Sequence, residues 1–166
     1  LEELRRAISS NDRMVRDKAL WRLGNLGDGA RPGVPEILRA IDGGSTGLSA
    51  AMALQRIDPE GAEAALVGLL RDPTVSAGAR AGAASGLRQI EAEAQPTIEA
   101  LADALADPDE EVAHAVETAL YLLGPACSPA LPRIIEKLEH PAPVARRNAA
   151  RVLGKIHWPS DPSSES

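Results

Sequence analysis

Residues 112–124 read VAHAVETALYLLG, and residues 15–27 read VRDKALWRLGNLG, a match at an offset of 97. The same frame fits residues 46–58, 79–91 and 145–157. One column of the alignment holds Leu23, Leu54, Leu87, Leu120 and Leu153, with steps of 31, 33, 33 and 33. A column three residues on holds Leu26, Ile57, Ile90, Leu123 and Ile156, and a column four residues before the leucines holds Ala19, Ala50, Ala83, Val116 and Ala149. Apolar positions spaced by four and then three lie on one face of an α-helix.

A second helical stretch follows in each unit. It ends in the column Ile41, Leu70, Leu105, Leu138 and carries Ile37, Leu66, Leu101, Ile134 one turn earlier. One turn earlier still the column reads Val34, Glu63, Ile98, Leu131, and Glu63 alone breaks the stripe. Pro32, Pro96 and Pro129 share a column before this helix, where a first-turn proline loses no needed hydrogen bond, and Ser128 is placed to cap it. Asp72-Pro73, Asp107-Pro108 and Pro141 mark turns between units. The connecting loop of the second unit, with Gly43-Gly44, is two residues shorter than the others, and the loop from Asp72 to Gly78 is two longer. A local change in superhelical angle is expected there.

A helix pair repeated about every 33 residues cannot bury its apolar stripe alone, and stacking neighbours solves the problem. The expected fold is therefore an all-α, right-handed α-solenoid of about 4.5 stacked helix pairs. The expected units are a partial repeat at 1–8, full repeats at 9–41, 42–70, 71–105 and 106–138, a final helix at 139–157, and a polar, disordered tail at 158–166. Because Leu1, Leu4 and Ile8 fit the second-helix pattern, preceding sequence is expected to be missing. The compartment stays open, with the cytoplasm favoured.

Composition agrees with close helix packing. The 166 residues include 30 alanines, two Trp, one Tyr and no Phe, which excludes an all-β core built on aromatic and β-branched side chains. The net charge of −6 argues against nucleic acid, since residues 42–138 carry 6 Lys/Arg against 15 Asp/Glu. Cys127 alone cannot make an internal disulfide or a cysteine metal site. No apolar run is long enough to insert in a membrane.

The pattern D-P-x-x-x-V-R-x-x-A-x-x-A-L-x-x-I-G, with a proline-started second helix, resembles the short bacterial HEAT repeats. The subtype it is most similar to is the HEAT-like repeat first named for phycobilisome lyases. The resemblance is carried by Val15-Arg16 with Leu23-Gly24-Asn25-Leu26-Gly27. It is carried further on by Asp107-Pro108 with Val112, Ala119, Leu120, Leu123 and Gly124, and by Arg146, Leu153, Gly154 and Ile156. It implies an arginine after the valine that bonds an aspartate in an adjacent turn. Arg16, Arg80 and Arg146 match and Gly47 and Ala113 do not, so that ladder is expected to be incomplete.

No catalytic constellation is present. His114, His140 and His157 lack metal-ligand spacing, and Glu139-His140 reverses, once, the His-Glu step that similar metal hydroxylases repeat. No cofactor and no metal are expected. Cys127 reads as a small buried residue, and Asp109, Glu110 and Glu111 as carboxylates suited to a helix N-terminus. The reading of function is a non-enzymatic protein-interaction scaffold module, part of a longer protein, with a protein partner of unknown identity. The alternatives are lyase-like or chaperone-like handling of a chromophore or cofactor, and an acidic clamp for a basic peptide or protein.

Two surfaces are candidates for that partner. On the second helices Glu36, Arg39, Asp103, Arg133 and Glu136, with Ala65, Gly68 and Ala100 at the centre, are expected to face outward. On the first helices Leu20, Trp21 and Met52 are expected to form an exposed apolar cluster.

Overall fold

Small side chains leave helices free to approach until their backbones touch, and the middle of this protein is built on that approach. The computed structural model describes residues 2–90 and 94–155, so Leu1, Ile156, His157 and the expected tail at 158–166 lie outside the described residues. The described residues form ten α-helical segments and no strand. The longer first helices of the units are α2 (Arg13–Asn25), α4 (Gly44–Ile57), α6 (Ala77–Gln89), α8 (Glu110–Leu123) and α10 (Pro143–Lys155). Between them run α3 (Val34–Arg39), α5 (Pro59–Arg71), α7 (Gln95–Ala104) and α9 (Leu131–Glu136), and α1 (Glu2–Ala7) precedes α2.

Each first helix packs on the next, α2 on α4, α4 on α6, α6 on α8 and α8 on α10. The second helices pack likewise, α3 on α5, α5 on α7 and α7 on α9. The leucine column lies between the two rows: Leu23, Leu54, Leu87 and Leu120 are all but completely buried, and so are Ile37, Leu66, Leu101 and Ile134 from the other side. Fully burying such a side chain stabilises the fold by about 1.5–3 kcal/mol.

Units one and four share a device 97 residues apart. Gly27 and Gly124 both take φ +54°, a left-handed conformation that ends α2 and α8 without the penalty a Cβ would bring. Each opens a seven-residue 3₁₀ segment, Gly27–Gly33 and Gly124–Ala130, that leads into a six-residue helix. Pro32 and Pro129 therefore lie inside these segments, and Pro35 and Pro132 take the first-turn positions of α3 and α9. Ser128 is not a helix cap. Its hydroxyl donates to the Pro125 carbonyl at 2.6 Å within the 3₁₀ turn. Leu138 falls in a short 3₁₀ stretch after α9 and is 38% exposed, so the helix-ending column is buried only through Leu105. Leu26, at the C-cap of α2, is likewise exposed.

α4 and α6 approach each other closely. A Cβ on Gly47 would collide with the Gly82 backbone, and one on Gly82 would collide with Ile41 Cγ2 and lie 2.8 Å from the Gly43 carbonyl. A turn along, a Cβ on Gly86 would sit 3.1 Å from both the Gly47 carbonyl and the Ala51 methyl. Glu63, the break in the apolar stripe, is half-buried and accepts a hydrogen bond from the buried Thr97 hydroxyl of α7.

Two glycine-to-alanine substitutions should move stability in opposite directions. Gly82→Ala gains helix propensity but overpacks the seam, and is expected to destabilise by about 1–3 kcal/mol. Gly68→Ala, on the exposed side of α5 with open space around it, is expected to stabilise by up to about 1 kcal/mol. Urea unfolding of both variants checks the pair.

Candidate functional site

The outward face of the first-helix row carries a groove between α2 and α4. Asp17, Trp21 and Gly24 line it from α2, and Ser49, Met52, Ala53 and Arg56 from α4, around a volume of about 190 Å³. Its floor is narrow because a Cβ on Gly24 would lie 3.1 Å from Ala53 Cα. Two hydrogen bonds between the helices close its ends, Ser49 Oγ to Asp17 Oδ1 at 2.8 Å and Arg56 Nη1 to Asn25 Oδ1 at 2.9 Å. Trp21 is 59% exposed and Met52 44%, and Met14 and Val15 add exposed apolar surface on α2.

Leu20 does not belong to this cluster. It is fully buried, as are Ala51 and Ala84 in the same column, and Glu117 is almost so. One residue turns a side chain through about 100° on a helix, which carries position 20 from the outer face into the seam between neighbouring first helices.

The strip on the second helices is occupied by its own charges. Arg5 of α1 pairs with Glu36, whose carboxyl is held below the usual glutamate range chiefly by the hydrogen bond from that guanidinium. Arg133 meets Asp103 at 2.9 Å and Glu99 at 3.1 Å, and Lys137 reaches Asp103 at 3.5 Å. Arg39 and Glu136 are exposed. Ala100, expected to face outward, is buried on α7.

The arginine column ties loops to helices. In all three cases the guanidinium folds back onto carbonyls of the turn before its own helix: Arg16 to Ser10 at 2.8 Å, Arg80 to Val75 at 2.7 Å, and Arg146 to His140 and Pro141 at 2.8 Å. Arg80 alone also pairs with an aspartate of the following turn, Asp107, at 2.8 Å. The turns share a further feature: Ser10, Asp72, Asp107 and His140 each accept the backbone N–H two residues on. His140 thus performs a turn function with Nδ1. Asp72 also accepts the Thr74 hydroxyl, and these two bonds hold its carboxyl below the usual range.

Cys127 is buried in the position that Ala30 holds in unit one, and its thiol lies 3.4 Å from the Leu120 carbonyl. Asp109 caps α8 by accepting from Glu111 N–H at 2.9 Å, with Glu110 and Glu111 in the first turn. Glu117 is a residue that sequence reasoning did not single out. It is a carboxylate in a column of leucine and alanine, which is the signal that could have found it. Arg151 reaches it at 3.3 Å and Lys155 bonds its other oxygen, pinning α10 to α8. Surface clefts of about 330 and 250 Å³ lie on either side, one lined by Tyr121 and Lys155, the other by His114, Arg147 and Arg151.

Among the described residues no group of three or more His, Cys, Asp or Glu side chains could hold a metal ion, and no helix is long and apolar enough to cross a membrane. Compared with known proteins, the chain matches no family model and no curated sequence.

The Arg5–Glu36 pair gives a pH dependence with a definite sign. A carboxyl lowered by folding contributes stability above the unfolded value of about 4.3, and that contribution is lost as pH falls through the folded value. Carboxyl NMR should show Glu36 titrating below the ordinary glutamate range, and Arg5→Ala should return it there while leaving Asp72 depressed.

Proposed function

We propose that the chain is a non-enzymatic protein-interaction module of the HEAT-like solenoid type, and that its partner docks on the groove between α2 and α4. The alternation of contacts supports the architecture, because helices two apart in the chain pack on each other in both rows. The observation that carries the docking surface is the exposure of Trp21 and Met52 side by side over a groove floored by Gly24 and Ala53. Tryptophan and methionine are enriched in interface cores, where one large side chain in a pocket supplies much of the affinity.

The second-helix strip supports an acidic clamp less well. Asp103 already carries Arg133 and Lys137, and Glu36 carries Arg5. A basic partner would have to displace cations that reach these carboxylates without losing any freedom of association.

Affinity capture with the intact chain, compared between wild type and Trp21→Asp, tests the reading. A bound protein should be lost at least tenfold in the variant, while circular dichroism stays that of the wild type because Trp21 is mostly exposed. Unchanged capture, with loss instead in an Arg39→Glu, Glu136→Lys double variant, would move the partner to the second-helix strip.

A further inference from the structure

The charges of the molecule are sorted between its two rows of helices. Within α2, α4 and α6 there are seven basic side chains and one carboxylate, Asp17. Within α3, α5, α7 and α9 there are six carboxylates and three arginines. Asp17 is already engaged by Arg13 and Ser49. Lys18, Arg22 and Arg56 remain exposed around Trp21, and among the described residues no carboxylate pairs with them; Arg56 bonds only the neutral amide of Asn25. Lys18 and Arg22 stand three residues before and one after Trp21, on adjoining faces of α2.

Resting on the docking surface proposed above, we infer that the occupant of the α2–α4 groove is an acidic peptide segment that inserts one large apolar side chain between Trp21 and Met52 and sets its flanking carboxylates against Lys18, Arg22 and Arg56. The size agrees: an apolar cavity of about 150 Å³ holds a benzene ring, and this groove encloses about 190 Å³. The donors agree as well, since a guanidinium presents paired N–H groups to a carboxylate. A nucleic acid fits less well. The basic row is cut off at α8, which carries Glu110, Glu111 and Glu117 and no Lys or Arg, so a phosphate backbone following the row would meet like charge. The apolar lining of the groove also suits a side chain better than a sugar.

The probes are synthetic peptides that share one apolar anchor face and differ only in flanking Glu, Gln or Lys. They are titrated into the full chain carrying Trp158→Phe, so that Trp21 emission is the reporter, with anisotropy of the labelled peptide as a second readout. The Glu peptide should bind at least tenfold more tightly than the Gln peptide and the Lys peptide should fail to bind. The advantage of Glu should shrink as salt is raised, and Lys18→Glu with Arg22→Glu should abolish it while leaving Gln-peptide binding in place. Equal binding of the Glu and Gln peptides overturns the acidic occupant and leaves the docking groove standing. Failure of all the peptides, with capture still lost in Trp21→Asp, overturns the occupant and again spares the groove. A larger Trp21 response to oligothymidylate or to phosphatidylserine vesicles than to the Glu peptide overturns it in favour of nucleic acid or membrane.

Discussion

The contact of α4 with α6 is made backbone to backbone, and most of the composition follows from it. Gly47 and Gly82 leave no room for a Cβ and Gly86 leaves little, and Ala50, Ala51, Ala83 and Ala84 around them are fully buried. Small side chains bring little apolar area apiece, but they let many atoms reach optimal separation at once, where dispersion is summed over whole helix faces. A phenylalanine in such a seam would push the helices apart and forfeit those contacts along their length. The leucine columns then fill the space between the two rows, where the distance is set by a larger side chain.

Stacking of this kind leaves the turns exposed to drift, and the polar residues of the turns counter it locally. Each of Arg16, Arg80 and Arg146 spans back to the carbonyls of the turn before its own helix, so helix and loop move as one piece. These bonds use donors that would otherwise face water and acceptors that no helix supplies. Unit two has glycine at that position, Gly47, because the close approach to Gly82 leaves no space for an arginine. The rung missing at Gly47 and the close approach of α4 to α6 are therefore one fact, while Ala113 on α8 leaves a second gap that this approach does not explain.

The buried columns were legible because a strict period reports the side of a helix that meets a neighbour, whatever that neighbour is. Leu20 was misread because neighbouring residues lie about 100° apart on the helix, and the boundary between seam and outer face falls between positions 20 and 21. Ser128 was misread because its helix starts two residues later than the proline column implies, after a 3₁₀ turn opened by Gly124. Of the second-helix charges Arg39 and Glu136 are exposed, while Glu36, Asp103 and Arg133 are half-buried in pairs that the sequence did not reveal. Arg5 and Glu36 are 31 residues apart, and Arg133 and Asp103 are 30 apart. Such pairs are recognised only once each unit's second helix is laid beside that of the next.

Counting charge along the chain hides the electrostatics that a partner would meet. Residues 42–138 sum to strong acidity, but that block interleaves helices of both rows, whose axes lie about 8–10 Å apart. The screening length at physiological ionic strength is about 8 Å, so a group docked on one row responds chiefly to that row. The outer face of α2, α4 and α6 is basic on an acidic protein, and α8 reverses the sign within the same row. Net charge therefore governs how the whole molecule repels its copies in dilute salt, while the alternation of helices governs what each face attracts. Among the described residues, Trp21 and Met52 lie where exposed apolar surface and cations without a carboxylate partner coincide, and that coincidence rather than exposure alone distinguishes the α2–α4 groove from the clefts flanking Glu117, where Arg151 and Lys155 pair with Glu117 and Arg147 with Glu110.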